Sequence, residues 1–344
     1  MKKLISFLLA AFMVLSLAAC GNQNGSSTAP SDSSVQESSL PEKLDVKCNI
    51  FALAGPTGVG LAPIMQKAEE KTGRLDYTAS IVGSNDEIVA KLTNKEADIA
   101  AVATNLASTL YKKTDGGIKV LAVNTLGVLC LVTKGEDSVT DIKSLKGKTI
   151  YATGQGANPE YIINYILEKN GLKAGEDVKI NFVSQPTELV TAFAQNEKAI
   201  AIAPQPAATT ITVKNEGAKI VLDINDEWDK VSDAKLVMGC IVARKEYIEQ
   251  NPDAVKIFLE EYKESIDSVN SNIDSAAALC VKYGIVAAEP IAKKAIPYCN
   301  IVFEDGKELK NDLSTYLKFL YDRNPASIGG ALPDDNFYYE AKEP

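Results

Sequence analysis

The feature that most constrains this chain of 344 residues is that it repeats itself. Glu87 to Asn105, with the core Lys95-Glu96-Ala97-Asp98-Ile99-Ala100, returns without a gap as Glu188 to Pro206, an offset of 101. Each copy reads as an amphipathic helix, a tight turn and a short buried strand that ends in small or polar residues. Upstream, Ile50-Phe51-Ala52 with Gly55-Pro56 and a helix ending at Gly73 corresponds to Ile150-Tyr151-Ala152 with Gly154-Gln155-Gly156 and a helix ending at Gly171. A repeated supersecondary unit dictates architecture before any local feature does. Two copies of strand–helix–strand–helix–strand predict two α/β lobes whose strand tips face one another across a cleft.

The chain is long enough for two filled cores, and 46% hydrophobic with 24% charged residues is ordinary for a globular protein. A net charge of −9, with no cluster of Lys or Arg, argues against a nucleic-acid partner. Histidine is absent. That removes Ser–His–Asp and Cys–His catalysis and the usual zinc sites, so no metal is expected. Arg74, Arg244 and Arg323 are the only arginines, so an anion would depend on backbone N–H groups, hydroxyls, amides or Lys rather than on a bidentate guanidinium.

Residues 1–19 have a positive start and an apolar run, Leu4 to Leu17, too short for a comfortable membrane span. They read as a signal peptide. Leu17-Ala18-Ala19-Cys20 resembles a bacterial lipobox, with cleavage before Cys20 and lipid on its sulfur. A polar tether from Cys20 to residue 43 follows, poor in apolar surface. The expected location is the outer face of a cytoplasmic membrane, or the periplasmic side where there are two membranes.

Val46–Phe51, Tyr77–Val82 and Ile99–Val102 read as strands of the first lobe, and Val178–Val183 as one of the second. Val120–Thr133 is read as one long crossing strand and Lys235–Arg244 as the return. Lobe one is expected over residues 44–131 with 238–344, and lobe two over 132–237. Asn251-Pro252-Asp253 is expected to cap a helix with Val255, Phe258, Tyr262, Ile266 and Val269 on its buried face. Residues 333–339 are read as a docked tail. Trp228, in a polar segment, is read as a surface or interlobe anchor, or a ligand contact. Beyond Cys20, the thiols Cys48, Cys130, Cys240, Cys280 and Cys299 are odd in number; mostly free, buried thiols are favoured, and a Cys130–Cys240 bridge stays open.

The tethered duplication resembles the substrate-binding lipoproteins of ABC importers, in the nitrate/sulfonate/taurine group and the thiamine-pyrimidine-precursor (NMT1/THI5-like) group. Ala54-Gly55-Pro56, Lys95 to Ala100, Gly154 to Asn158, Ala203-Pro204-Gln205-Pro206-Ala207 and Tyr247-Ile248-Glu249-Gln250-Asn251-Pro252 carry the likeness. The resemblance implies a periplasmic-binding-protein type II-like α/β fold: two Rossmann-like lobes joined by two crossing strands, with the ligand cleft between them. It implies a monomer that captures a small solute by hinge closure and hands it to an ABC permease with its ATPase, without a cofactor. The pyrimidine synthases on this fold depend on histidine and a cysteine-rich motif, and this chain has neither. A ligand-sensing lipoprotein is the alternative, and an exported enzyme a remoter one.

In open α/β sheets, ligands bind beyond the carboxyl ends of the strands. That rule selects Ala54, Gly55, Pro56, Thr57, Ser84, Asn85, Thr104 and Asn105 in lobe one. In lobe two it selects Gly154, Gln155, Gly156, Ala157, Asn158, Gln185, Pro204 and Gln205. Thr125 and Met238 on the crossing strands are placed on the cleft floor. Each has an ordinary turn role as its alternative. The set suits either a neutral heterocycle such as an aminopyrimidine, or a small oxyanion such as a sulfonate or nitrate.

Overall fold

The computed structural model describes residues 42–341. The expected leader, Cys20 and the tether up to residue 41 lie outside the described residues. Eleven strands form two sheets. They are β1 Lys47–Leu53, β2 Asp76–Val82, β3 Ile99–Ala103, β4 Ile118–Thr125, β5 Leu129–Lys134, β6 Thr149–Thr153, β7 Lys179–Val183, β8 Ala199–Pro204, β9 Lys219–Asp223, β10 Gly239–Arg244 and β11 Ile301–Glu304. One sheet is ordered β2-β1-β3-β10-β4-β11 and the other β7-β6-β8-β5-β9.

The duplication is visible in these orders. In each sheet the first strand of the unit lies between its second and third, paired in parallel. A strand from the other part of the chain then enters antiparallel, β10 beside β3 in one sheet and β5 beside β8 in the other. Strands such as β3, Ile-Ala-Ala-Val-Ala, are buried along nearly their whole length. Such runs form where helices cover both faces of a sheet.

The helix starts repeat as well. Ser84 Oγ accepts from Glu87 N at 3.2 Å, and Glu87 Oε2 accepts from Gly83 N at 3.0 Å. Glu188, the counterpart of Glu87, accepts from Ser184 N through Oε2 at 2.9 Å. A carboxylate in the first helical turn thus satisfies a loop N–H in both copies and opposes the positive helix end. Asp98 has no counterpart, since Ala199 takes its place. It accepts from Asn49 N and Nδ2 at 2.9 Å each and from Arg244 Nη2 at 2.7 Å, holding β1, β3 and β10 together.

Four expectations are corrected. The run Val120–Thr133 is two strands, β4 and β5, separated by Leu126-Gly127-Val128, which carries the chain from one sheet to the other. Lys235 to Met238 precedes β10 instead of belonging to it. Asn251 occupies the position before the helix Pro252–Ser271, but its side chain accepts nothing from that helix; Nδ2 donates to Tyr247 O at 3.3 Å. Trp228 is not at the surface: it is fully buried between Tyr165 and Phe319, contacts that agree with the interlobe alternative. Other expectations agree with the structure. Val255, Phe258, Tyr262, Ile266 and Val269 are buried, Tyr339 N donates to Val120 O at 2.9 Å in the docked tail, and the five thiols are free and buried.

Candidate functional site

Gly239, the first residue of β10, lies opposite both Ala103 and Thr125, so β3 and β4 end along one edge of the six-stranded sheet. In the other sheet Leu129 lies opposite Pro204 and Cys130 opposite Asp223, which aligns the ends of β8 and β9 with the start of β5. Thr125 and Leu129 are four residue steps apart, a reach of at most about 14 Å. Two carboxyl edges joined by so short a link must border a common space. The second link runs from Asp223 to Gly239 through the helix Ile224–Asp229.

Thr57, Thr104, Thr125 and Met238 come together on this edge. Asn124 Nδ2 donates to Thr57 O at 2.9 Å, and Thr125 Oγ1 donates to Asn124 Oδ1 at 3.0 Å. Thr104 donates through Oγ1 to Val237 O at 2.7 Å and through N to Met238 O at 3.2 Å, while Met238 N donates to Thr125 O at 3.0 Å. Gly239 makes the approach feasible: a Cβ there would lie 2.6 Å from Thr57 Cγ2 and 2.8 Å from Asn124 Oδ1. The Thr104 and Thr125 hydroxyls are therefore buried and engaged. Gln205 is too, with Nε2 donating to Cys130 Sγ at 3.4 Å and Oε1 accepting from Thr209 Oγ1 at 2.8 Å.

Ala54, Gly55 and Pro56 follow β1, with Gly55 at φ 109° and Pro56 opening a one-turn helix. Asn105 lies in the first turn of the helix Thr104–Lys113. Ser84 and Asn85 follow β2, and Gln185 follows β7. Both are edge strands, so these residues stand apart from the central group. The loop Gly154-Gln155-Gly156-Ala157 after β6 is tied down at Gly156. Its N donates to Glu160 Oε2 at 2.6 Å and its O accepts from Tyr161 OH at 2.7 Å. Asn158, which opens the helix Asn158–Lys169, is 6% exposed, and its Oδ1 is buried with no hydrogen-bond partner. Such an atom costs free energy until something donates to it. Pro204 ends β8.

Sequence reasoning missed Asp223. It ends β9, where the strand-tip rule applies, but the short run Ile220-Val221-Leu222 after Gly217 was not read as a strand. Burial raises the Asp223 carboxyl above the usual range for aspartate, with Asp226 and Asp229 adding to the rise against the Asn225 N–H, which donates to Oδ1 at 2.8 Å, and Asn300. Asn225 and Asn300 also hold the short link. Gly127 N donates to Asn225 Oδ1 at 3.1 Å, Asn300 Nδ2 donates to Gly127 O at 2.6 Å, and Leu126 N donates to Asn300 O at 3.0 Å.

The arginines are placed elsewhere: Arg244 on Asp98, Arg74 beside Glu260 and Arg323 on Glu168. Burial pushes the Cys130 thiol up to about 12, which keeps it protonated. A concavity of about 430 Å³ between Tyr111, Lys119, Lys245 and Asp334 opens at the amino end of β4, on the opposite edge from the strand tips.

The family described as NMT1/THI5 like matches residues 79–276, more than half of the chain. A binding protein of Brucella abortus is 25% identical over 174 residues, 51% of this chain and 52% of that protein, so the chain spans about half the length of the curated relatives it matches. Among solved structures, an ABC transporter protein from Parabacteroides distasonis superposes with a TM-score of 0.72 at 22% identity, covering 87% of this chain and 100% of that one. The periplasmic aliphatic sulphonate binding protein SsuA from Escherichia coli does so at 0.67 with 14% identity, over 88% and 94%. At these identities the likeness is one of fold: two α/β lobes of the periplasmic-binding-protein type II kind with a cleft between them.

Proposed function

The chain belongs to the NMT1/THI5-like family, and from that premise we propose that it is the solute-binding component of an ABC importer, closing on one small molecule and presenting it to a membrane permease. The observation that carries this reading is the pair of carboxyl strand edges held face to face by a three-residue link. Hinge closure about such a link is a standard way to enclose a ligand. On this reading lobe one comprises residues 44–131 with 238–344, lobe two comprises 132–237, and no residue is catalytic. Export, lipid attachment at Cys20, a monomeric state and contact with a permease and ATPase belong to the same proposal.

The solute we infer is a neutral or amine-bearing heterocycle rather than an oxyanion. The tip segments 54–57, 84–85, 104–105, 154–158, 185 and 204–205 contain neither Lys nor Arg. Nearer the middle of the two edges they offer Asn105, Gln155 and the Asn158 amide with its orphaned Oδ1, and Asp223 ends β9 on the same edge of the second sheet. Amides and a carboxylate match the ring nitrogens and exocyclic amines of an aminopyrimidine. A sulfonate or nitrate would be held here by backbone N–H groups and neutral side chains alone, without a charge-assisted side-chain donor.

A thermal-shift screen of the purified chain against aminopyrimidines, thiamine, riboflavin, alkanesulfonates, nitrate and amino acids tests both statements. A ligand at 100 times its Kd stabilises the folded state by about 2.7 kcal/mol. One saturable hit among the heterocycles, weakened by Asn158→Ala, is expected. A saturable hit only among the anions overturns the ligand class. No hit, together with no small molecule released on denaturing the protein, overturns the binding role.

A further inference from the structure

Glu304 closes β11, and Glu308 and Asp312 follow on the helix Gly306–Arg323 at successive four-residue steps, which places them along one face. One oxygen from each lies within 4.8 Å of the others. Lys235 Nζ, from the long link between Asp223 and Gly239, sits 2.8 Å from Glu304 Oε1, Glu308 Oε1 and Asp312 Oδ2.

Three carboxylates around one ammonium leave two negative charges uncompensated, and Asp229 in the same link adds to them. The cluster is also partly sealed from water. Glu304 is 7% exposed, and its Oε2 is buried and accepts no hydrogen bond. Asp312 Oδ2 is buried as well, with Lys235 Nζ 2.8 Å away as its charged neighbour. An anionic cage of oxygens with unused acceptor capacity is the donor set of a hard divalent cation. Ca²⁺ takes about 6–8 oxygens, and one carboxylate can supply two. Lys235, with its side chain 38% exposed, has a route for its ammonium back to water.

We propose that Glu304, Glu308 and Asp312 form a binding site for a divalent cation, Ca²⁺ foremost, in which the ammonium of Lys235 is a built-in competitor that withdraws as the metal enters. The site shares no residue with the strand-tip set and does not depend on which solute the cleft takes. It does touch the long link: metal entry frees Lys235, and the neighbouring Ala234 O accepts from Trp228 Nε1. Trp228 is the chain's one tryptophan, so its emission reports on the event.

The test is a titration of the purified chain with CaCl₂, followed by Trp228 emission, alongside a TbCl₃ titration followed by sensitised luminescence. A saturable response is expected, with bound Tb³⁺ displaced by Ca²⁺. Glu308, whose side chain is 61% exposed, can be changed without burying a new group. Glu308→Gln should weaken binding by about tenfold or more, the effect of removing one charge-assisted contact. Lys235→Ala should tighten it by about tenfold, because the competitor is gone. A plain ion pair predicts neither effect. No saturable Ca²⁺ response in the wild-type chain overturns the proposal. So does a response that Glu308→Gln leaves unchanged, or one that Lys235→Ala fails to strengthen.

Discussion

Phe319→Ala is the perturbation that best probes how the carboxyl-terminal helix is fastened to the second sheet's layer. Phe319 lies on the helix Gly306–Arg323. Its ring meets Trp228 edge-on at 4.8 Å and Tyr165 edge-on at 5.2 Å, while Tyr165 and Trp228 lie 4.8 Å apart. Arg323 adds its guanidinium over Tyr165 and Phe319 at 5.3 and 5.6 Å. Each edge-to-face pair is worth about 0.5–1.5 kcal/mol beyond area burial. A fully buried Phe→Ala costs about 3–5 kcal/mol. Phe319 is only half-buried, so a loss of about 2–3 kcal/mol is expected, below the fully buried range. At roughly 2 °C per kcal/mol for a large domain, Tm falls by about 4–6 °C. Denaturant unfolding followed by Trp228 emission measures the loss. A double-mutant cycle with Tyr165→Ala isolates the ring pair, because the bond from Tyr165 OH to Val231 O is removed in both arms and cancels. A coupling energy of about 0.5–1.5 kcal/mol is expected. A coupling near zero, or a Phe319→Ala cost below about 1 kcal/mol, refutes the claim that this triad joins the two layers.

Gly239→Ala forces a Cβ against Thr57 and Asn124 and should cost about 1–3 kcal/mol by overpacking; unchanged stability in urea would show the edge to be loosely packed. Glu261→Ala removes the acceptor for Tyr77 OH at 2.7 Å, Lys67 Nζ at 2.8 Å and Arg74 N at 3.2 Å. A loss of about 3–5 kcal/mol is expected for breaking a buried, charged network, and a loss under about 1 kcal/mol contradicts it. The Asp223 carboxyl has its folded pKa raised by burial, so the folded state binds its proton more tightly than the unfolded state does. Its contribution to stability is then fully present below the usual aspartate range and lost as pH rises through the raised value. Asp223→Asn should abolish that component of the stability–pH curve, and a curve unaltered by the substitution excludes Asp223 as its source.

The duplication made the architecture legible, because matching a buried strand to its copy fixes both period and face. Its strand-tip residues were legible for the same reason. What stayed hidden is side-chain commitment. Thr104, Thr125 and Gln205 carry the polar groups a cleft needs, yet Val237 and Cys130 from distant segments, and Asn124 and Thr209 close by in sequence, already engage them. Asp223 was missed because β9 is five residues long and only partly buried, which gives a weak period. The run Val120–Thr133 is apolar on both sides of Asn124-Thr125-Leu126-Gly127, and because Asn124 and Thr125 are themselves buried in the strand, periodicity did not show that the chain leaves one sheet at Thr125 and enters another at Leu129. The spacing of Glu304, Glu308 and Asp312 was present in the sequence as three acids at four-residue steps, but acids on a helix usually face water, and only Lys235 from a distant segment distinguishes these.

The two links are unequal in a way that bears on closure. In the short one, Gly127 donates and accepts through its backbone to Asn225 and Asn300, and Val128 O accepts from Gln205 N at 2.9 Å. A Cβ at Gly127 would lie 2.6 Å from Asn225 Oδ1, so the link has no room to change its packing. Up to Lys235 the long link is held mainly by side chains: Trp228 through its ring and indole N–H, Lys235 through an ammonium partly open to water. The pair of Lys235 with the exposed Glu308 contributes about 0–1 kcal/mol and yields easily, whereas a buried backbone polar group left without a partner costs about 1–3 kcal/mol. On the proposed closure, rotation of one lobe against the other should therefore pivot close to Gly127 and be absorbed along residues 230–235, since Val237 O and the Met238 backbone are already bonded to Thr104 and Thr125. On that proposal the Lys235 cage and the Trp228 triad are the contacts that set the resting angle.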